Sequence, residues 1–555
     1  MKYFLKRLPF LLTFTILIVA FIVRVDNITQ PLIDPFSWGE AHTAMIAENF
    51  YRLNSNPFYP QVSLGGIIPN YQARDLPIVG YLSSLIYLFT DQQDWVGRAV
   101  AIVFGLWGVF AFYNLVLNVW DRQHAILGAA LLALLPGAIA VDRSFLPDPA
   151  MVALVSTSLW MLALYLKQGR ELFLILFGIT GFLGVATKLV GIICLLPVSY
   201  VTISVLRHKR DINQSTLKLD HNHQQNYNPF ALVAFTIFII QAAFLYQLWA
   251  RYIASSKPGN YLIGAENWIW HDGFNIWFSQ QYFIPQLWNI LINQFWSLPI
   301  LVLMLLGLVL PYKQITQKGD TPYSQTVIQW IFHWWLLGGM LYYAVGAKEL
   351  VNHPWSLHVL SPIVAALSAR GIIAVLAYWS SMLKLPSSAS TVAVIPISLI
   401  LICLLSFSNK PALASLYLPQ ARSSYEMGLK LKSMTAPEDL LVTLGHVMDD
   451  PTAIYYSQRR GWTFPSVNTG RVWNQFPDNE QDAIKAFNNL QIQGAGWLAI
   501  AGERKQDFWT HHLALVEHIN KTCHFEYKDN ESELVIYSIP PASDPQKAVN
   551  NEFYF

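Results

Sequence analysis

Charged residues are scarce in this sequence. Only 13% of the 555 residues are Asp, Glu, Lys or Arg, whereas about a quarter of the residues of a soluble globular protein are charged. Apolar residues make up 54% of the chain and aromatic residues 14%. This composition excludes an ordinary soluble enzyme, and it also excludes a disordered or collagen-like chain. The sequence is that of an α-helical polytopic membrane protein.

Cysteine and net charge are low as well. The three cysteines, Cys194, Cys403 and Cys523, are far apart in sequence, so they form neither a disulfide framework nor a zinc-binding pattern. The formal net charge is only +2, which gives no global field for nucleic acid. The sequence therefore predicts no nucleic-acid partner, no cofactor and no metal site, and it leaves a requirement for a divalent metal open.

About eleven apolar stretches are predicted to be transmembrane helices, since roughly 20 mostly apolar residues span a bilayer. The first stretch follows Lys2, Lys6 and Arg7 and has no small-residue cleavage site after it, which predicts a retained span rather than a signal peptide. The predicted spans lie near residues 9–23, 95–117, 124–141, 149–166, 172–186, 188–206, 230–250, 286–311, 326–345, 357–377 and 391–408.

The positions of Lys and Arg predict the orientation. With the N-terminus in the cytoplasm, each cytoplasmic connection carries at least one of them, for example Arg122 and Lys384, as the positive-inside rule requires. Three long segments then lie outside, at about 24–94, 251–285 and beyond 409. Short loops with few lysines favour a bacterial inner membrane.

The chain after residue 408 differs from the rest, because polar residues separate short apolar runs at 440–444, 497–501 and 534–537. Residues 525–539 read as a β-hairpin about Asp529-Asn530. The sequence therefore predicts a transmembrane domain over 1–408 and an exterior soluble α/β domain over 409–555.

The first exterior loop, at about 24–94, is far longer than a simple connector. Residues 44–51 are predicted to be helical, and Glu40 falls near the start of that helix, where the helix dipole favours a carboxylate. The apolar stretch 75–89 is short for a span and is predicted to be a helix lying along the membrane surface. Such a loop can cover a cavity that opens to lipid.

Several ionisable residues stand where membrane proteins seldom place them. Lys188 lies between two apolar runs, and His353 and His358 lie at the exterior start of a late span. Three more ionisable residues cluster at one exterior helix junction: Asp142, Arg143 and Asp148. An ionisable group at membrane depth is a functional candidate, because leaving it unpaired in hydrocarbon is costly. A lysine at the lipid boundary suits a phosphate group.

The order of these parts resembles the GT-C superfamily of membrane glycosyltransferases, and in particular its family 39 branch of protein O-mannosyltransferases and aminoarabinose transferases. The acidic motif of that branch is similar to Gly39-Glu40, where Glu40 matches and the preceding Asp does not; a subgroup has its acid at the position of His42. Further resembling elements are Asp75-Leu76-Pro77, Asp148-Pro149, Lys188 with Gly191 and Pro197, His353 through Pro362, and Tyr455-Tyr456 with Arg459 to Trp462.

The resemblance implies transfer of a sugar from a polyprenyl-phosphate donor, with inversion, to a lipid, glycan or protein acceptor. It implies Glu40 as the general base, with Asp34 and His42 as substitutes, and Lys188 as the partner of the phosphate. Residues implied to bind phosphate or sugar are Arg74, Asp75, Asp148 and His353. Structural alternatives stay open for them: the acids are also common at helix starts, and a lysine can extend to the membrane surface without touching substrate.

Three other functions fit a polytopic chain. A transporter or flippase of lipid-linked sugars often has inverted repeats, and none is visible here. A polysaccharide polymerase or ligase usually has its large loop late in the chain, whereas here the long loop comes first. A non-catalytic relative that binds polyprenyl phosphate is consistent with the altered acidic motif.

Overall fold

The computed structural model describes residues 2–72, 75–214, 227–255, 275–278, 288–310, 323–346, 350, 353–382, 395–403, 409–447, 449–465, 479–529 and 533–542. Within them the α-helices are α1 (Lys2–Val25), α2 (Ser37–Arg52), α3 (Ile78–Thr90), α4 (Asp94–Val119), α5 (Arg122–Leu134), α6 (Pro136–Arg143), α7 (Asp148–Gln168), α8 (Glu171–Thr187), α9 (Leu195–Gln214), α10 (Pro229–Ser255), α11 (Asn275–Phe278), α12 (Leu298–Val309), α13 (Tyr323–Ile328), α14 (Ile331–Val345), α15 (Ser361–Met382), α16 (Lys410–Ser415), α17 (Arg422–Met434), α18 (Thr452–Ser457), α19 (Glu480–Ile492), α20 (Glu503–His511) and α21 (Leu513–Thr522). The strands are β1 (Leu440–Leu444), β2 (Arg460–Thr463), β3 (Ala495–Ile500), β4 (His524–Asp529) and β5 (Leu534–Ser538).

The apolar stretches form helices at the predicted places. In the part of the chain that the structure describes, five helices are long and apolar enough to cross a membrane, and up to seven if two bent pairs each count as one span. The apolar part of α1, together with α3 and α8, is shorter. The span predicted near 391–408 is helical over 395–403, and its other residues lie outside the described ranges.

Among the described residues, two predicted spans are helix pairs bent by more than 40° at a break. The helices α5 and α6 meet at 63° at Leu135, and the residue that follows is Pro136. Proline disfavours helical backbone in the residue before it, and Leu135 is accordingly extended. The helical segment 288–295 and α12 meet at 103°, where Ser297 has a positive φ of 69°. A hydrophobicity pattern does not reveal these bends, because the residues on both sides are apolar.

The C-terminal part forms the predicted α/β domain. Its five-stranded sheet has the order β2-β1-β3-β5-β4, with β1 parallel to both β2 and β3 and with β5 antiparallel to β3 and β4. The pair β4–β5 is the hairpin predicted at 525–539, whose turn residues 530–532 are not described. Val442, Trp462, Leu498 and Phe487 belong to the core on which this sheet is built.

Contacts divide the chain into two compact units. The helical unit consists of residues 1–28, 98–247 and 272–416, and the sheet unit consists of residues 29–97, 248–271 and 417–555. The sheet unit therefore contains most of the predicted first exterior loop in addition to the C-terminal domain. The predicted boundary at 408/409 and the sidedness of both units stay predictions.

Arg460 joins the two sequence segments of the sheet unit. Its guanidinium donates to the carbonyls of Val62 at 2.8 Å and Gly66 at 3.1 Å. Next to it, Gly461 forms a parallel bridge with Leu64, so the first loop extends the sheet beside β2. These contacts build the first loop and the C-terminal domain into one body.

Candidate functional site

Two of the three predicted catalytic residues, Glu40 and His42, lie in helix α2, and the third, Asp34, lies in the turn before it. The turn before it is closed by Asp34, whose Oδ1 accepts a hydrogen bond from the Phe36 amide at 3.0 Å and whose carbonyl accepts one from the Ser37 amide at 2.9 Å. Glu40 lies in the first turn of α2, where the helix dipole favours a negative charge. Asp34 and Glu40 are both fully buried, as suits a carboxylate that reacts away from bulk water.

The imidazole of His42 lies one turn beyond Trp38, and the two rings stack with their planes 4° apart and their centroids 5.6 Å apart. The Nε2 of Gln72 lies 3.4 Å from His42 Nδ1. The indole N–H of Trp38 donates to the carbonyl of Asp449 at 2.8 Å. The first turn of α2 is thus held by groups on both sides of Glu40 in sequence.

The first loop also contains the predicted substrate-binding residues Asp75 and Arg74. Asp75 is partly buried and comes two residues before Pro77, which is the N-cap of α3. Arg74 lies outside the described residues. Their predicted roles in binding sugar or phosphate stay predictions.

In the helical unit, Lys188 and Asp148 are brought together. Lys188 lies in extended backbone at the end of α8, and its Nζ is 2.7 and 2.9 Å from the carboxylate oxygens of Asp148, the first residue of α7. The same Nζ donates to Ser356 Oγ at 3.0 Å. Asp148 is fully buried, and the Lys188 side chain is 13% exposed. Forty residues separate the two charges in sequence, yet they form one ion pair.

His353 precedes the 3₁₀ turn Pro354–Leu360 that supplies Ser356. Its carbonyl accepts a hydrogen bond from the Ser356 amide at 3.0 Å, and its ring lies 4.9 Å from that of Trp355. His353 therefore helps to shape the turn that contacts Lys188.

A second ionic cluster of the helical unit contains an arginine that the sequence analysis did not single out. Asp142 Oδ2 accepts from Arg24 Nε at 3.0 Å and from Arg24 Nη2 at 2.8 Å, and Asp142 Oδ1 lies 2.8 Å from His358 Nε2. Arg24 also donates to the carbonyl of Ala133, near the break between α5 and α6. Arg24 stands at the end of the first span, where an arginine is usually an interfacial anchor, so its pairing with Asp142 could not be predicted from the sequence.

Gly105 of α4 leaves the space that this cluster fills. A Cβ at position 105 would lie 2.6 Å from Asp142 Cγ. Within the described ranges, no group of three or more His, Cys, Asp or Glu side chains could hold a metal ion.

The chain is similar to known proteins in part of its sequence and in its fold. Residues 74–221 match the family model described as dolichyl-phosphate-mannose-protein mannosyltransferase. No curated protein matches the chain.

Three solved structures share the fold. ArnT from Cupriavidus metallidurans, solved with undecaprenyl phosphate, is 11% identical, with a TM-score of 0.55 over 95% of this chain and 97% of that one. The Archaeoglobus fulgidus oligosaccharyltransferase tethered to an acceptor peptide is 13% identical, with a TM-score of 0.58 over 99% of this chain and 76% of that one. The same archaeal enzyme, AglB, with an inhibitory peptide and a dolichol-phosphate is 12% identical, with a TM-score of 0.57 over the same shares.

At these identities the likeness concerns the fold, and it extends over nearly the whole chain. A helical membrane unit combined with a small sheet is the architecture that the motifs predicted, and that prediction is confirmed. The chain has the fold of the GT-C superfamily of membrane glycosyltransferases.

Proposed function

We propose that the chain is a glycosyltransferase that moves a sugar from a polyprenyl-phosphate donor to an acceptor hydroxyl on the non-cytoplasmic side of the membrane. The observation that carries this proposal is a fully buried carboxylate, Glu40, in the first turn of α2, at the position that resembles the acidic motif of the family. The matched segment 74–221 supports it. So does the fold of neighbours whose structures contain undecaprenyl phosphate or dolichol-phosphate.

In the proposed reaction, Glu40 accepts the proton of the acceptor hydroxyl while the oxygen attacks the anomeric carbon of the sugar. The bond between that carbon and the phosphate oxygen breaks, and the polyprenyl phosphate leaves with the electron pair, so the configuration inverts. A positioned general base supplies about 10²- to 10⁴-fold in rate. No cofactor takes part in these steps, and assays with Mg²⁺ and with a chelator decide whether a divalent metal is required.

Asp34 and His42 are the alternative bases. One carboxylate oxygen of Asp34 accepts the Phe36 amide in the turn before α2. His42 is stacked on Trp38 and lies beside Gln72, so its ring orientation is fixed. Glu40 is the preferred base because it matches the motif.

We propose Lys188 as the partner of the donor phosphate. A compact ammonium beside a phosphate stabilises the charge that develops on the leaving group. An ammonium has three N–H donors, and those of Lys188 point at Asp148 and Ser356. Binding of a phosphate therefore requires Lys188 to release at least one of these bonds. Arg74, Asp75, Asp148 and His353 stay proposed contacts of phosphate or sugar.

The test is a transfer assay with purified protein in lipid. A panel of polyprenyl-phosphate sugars is presented with lipid, glycan and peptide acceptors, and release of free polyprenyl phosphate is followed. Glu40→Gln is expected to abolish release while the thermal unfolding midpoint is retained. Glu48→Gln is the matched control, because it removes another buried carboxylate from the same helix and is expected to keep release.

Release that survives Glu40→Gln would retain the transferase and move the base to Asp34 or His42. Absence of release from every donor with wild-type protein would overturn the proposal, and translocation of the same lipids would then distinguish a flippase from a binding protein.

A further inference from the structure

The first turn of α2 begins without a side-chain cap from its own N-cap residue, Phe36. The first amides of a helix have no partner within the helix. Glu40 donates its amide to the Phe36 carbonyl at 3.0 Å, which is the first bond of the helical type. A base in this turn is fixed in space only as well as the turn itself is fixed.

Trp38 supplies a restraint from outside the helix. Its indole N–H is the single donor of that side chain, and it bonds to the carbonyl of Asp449 at 2.8 Å. Asp449 belongs to the loop between β1 and α18, 411 residues away in sequence. The same indole ring stacks on His42, one turn further along α2.

Asp449 and its described neighbours are held in place by hydrogen bonds of their own. Asp449 has a positive φ of 57°, a conformation that few residues other than glycine adopt. Its side chain accepts a hydrogen bond from Thr463 Oγ1 at the end of β2 at 2.5 Å. The next residue, Asp450, bonds to His446 Nδ1 at 2.9 Å and to the Thr452 amide at 3.0 Å. The Asp449 carbonyl is thus fixed to the ends of β1 and β2.

We propose that Trp38 is a positioning residue for Glu40, and that its bond to the Asp449 carbonyl makes the C-terminal domain a rigid support for the catalytic turn. The inference rests on the proposed role of Glu40 as the base. It assigns the C-terminal domain a function in catalysis that requires no contact between that domain and the substrate.

The position of Glu40 determines the expected effect on the rate. A general base must lie within hydrogen-bond reach of the proton that it accepts, and a displacement of about 1 Å can lower a rate by about 10²-fold. Loss of the Trp38 bond leaves Glu40 present and ionisable but less restrained. The turnover number should therefore fall while the affinity for substrates is kept.

The test compares Trp38→Phe, which keeps the ring and removes the N–H, with Trp497→Phe. Trp497 is a matched control because its Nε1 donates to Asp439 Oδ2 at 3.0 Å within the C-terminal domain. Trp38→Phe is expected to lower kcat roughly tenfold with KM nearly unchanged, and to accelerate hydrogen–deuterium exchange over residues 37–43. Thr463→Val is expected to produce the same changes to a smaller extent.

The proposal would be overturned if Trp38→Phe had the same kcat, and the same hydrogen–deuterium exchange over residues 37–43, as the Trp497→Phe control. The exchange measurement needs no substrate, so it separates the two hypotheses. Faster exchange in Trp38→Phe together with an inactive wild type would refute the proposed function but would retain Trp38 as the support of this turn.

Discussion

Two buried acids, Asp142 in the helical unit and Glu48 in the sheet unit, are paired to different extents. In the helical unit, Asp142 is held by Arg24 at 2.8 and 3.0 Å and by His358 at 2.8 Å, and all three side chains are at most 3% exposed. In the sheet unit, buried Glu48 has one ion partner at 3.0 Å, Arg52, whose side chain is 45% exposed. Burial raises the pKa of Glu48 to about 7, even though Arg52, Lys432 and Arg460 lower it.

The difference in pairing between Asp142 and Glu48 is explained by the cost of burying a charge without partners. A buried charge is stable only if partners replace its hydration, and otherwise it takes up a proton instead. The helical unit contains the segments fit to span a membrane, where no water can replace a missing partner. The sheet unit contains the polar C-terminal segment, and at Glu48 it tolerates a carboxyl whose pKa burial raises to about 7.

Asp142→Ala gives the strongest test of this contrast. It leaves the Arg24 guanidinium buried without its carboxylate, and breaking a buried pair in this way costs about 3–5 kcal/mol. We expect a corresponding fall in the free energy of unfolding in detergent, and a smaller one for Asp142→Asn, which retains an acceptor. The control is Glu517→Gln, which removes an exposed pair with Lys521 and should change nothing measurable. If Asp142→Ala and Glu517→Gln changed the free energy of unfolding equally, the contrast between the two acids would be wrong.

Glu48→Gln tests the second acid of the comparison, which lies in the sheet unit. The folded pKa of about 7 is above the ordinary value of 4.5, so the folded state binds the proton more tightly than the unfolded state. The stabilisation is fully present below pH 4.5 and is lost as the pH rises through 7, and its size is about 3 kcal/mol. Glutamine cannot ionise, so the variant should lose less stability between pH 5 and 8.

The measurement is thermal unfolding of the wild type and Glu48→Gln across that pH range, again with Glu517→Gln as the control. Parallel pH profiles of the wild type and Glu48→Gln would show that Glu48 keeps its charge and that the sheet unit compensates buried acids as the helical unit does.

The sequence predicted the features that depend on local patterns and missed those that depend on contacts between distant residues. The span at 149–166, the run at 440–444 and the hairpin at 525–539 depend on the local pattern of apolar and turn residues, and the structure has α7, β1 and β4–β5 at these places. A pattern of this kind carries no information about pairing. The bond from Arg24 to Asp142 spans 118 residues, and although Asp142 stood out as an ionisable residue, nothing in the sequence pointed to Arg24 as its partner.

The candidate site divides in the same way. Lys188 and Asp148 stood out because each is an ionisable residue among apolar ones, although their mutual contact could not be predicted. Trp38 did not stand out, because one tryptophan among 20 has no pattern that marks its indole N–H as bonded to Asp449. Roles that depend on contacts between distant segments required the structure.

Arg460→Lys tests how the first loop is held in the sheet unit. Arg460 donates to two backbone carbonyls of that loop, Val62 and Gly66, and a lysine cannot reproduce the fork. Burial lowers the pKa of Arg460 to about 10, so at neutral pH the residue keeps its charge and its donors. A loss of about 1–2 kcal/mol is expected, with faster hydrogen–deuterium exchange over residues 61–72.

Arg459→Lys is the matched control, because Arg459 donates to Thr435 and to the carbonyl of Lys432 within the C-terminal domain. It should leave exchange over 61–72 unchanged. Equal exchange in the two variants would mean that the bridge between Leu64 and Gly461 holds the loop without Arg460.

Ser356→Ala has the smallest expected effect and separates two uses of a buried charge. The wild-type hydroxyl accepts a bond from Lys188 at 3.0 Å, and its removal should lower the free energy of unfolding by about 1 kcal/mol. If Lys188 releases this bond when it binds the donor phosphate, the variant no longer has to break it. The donor KM should then stay the same or fall, by up to about fivefold.

Ser158→Ala is the control for that experiment, since Ser158 is equally buried in the helical unit and donates to the Phe177 carbonyl at 2.9 Å. A similar loss of stability with an unchanged donor KM is expected for it. A donor KM that rises in Ser356→Ala alone would mean that Ser356 orients Lys188 toward the phosphate rather than competing with it. In that case the helical unit, like the sheet unit at Trp38, would use a hydrogen bond to a neutral acceptor to position a charged group.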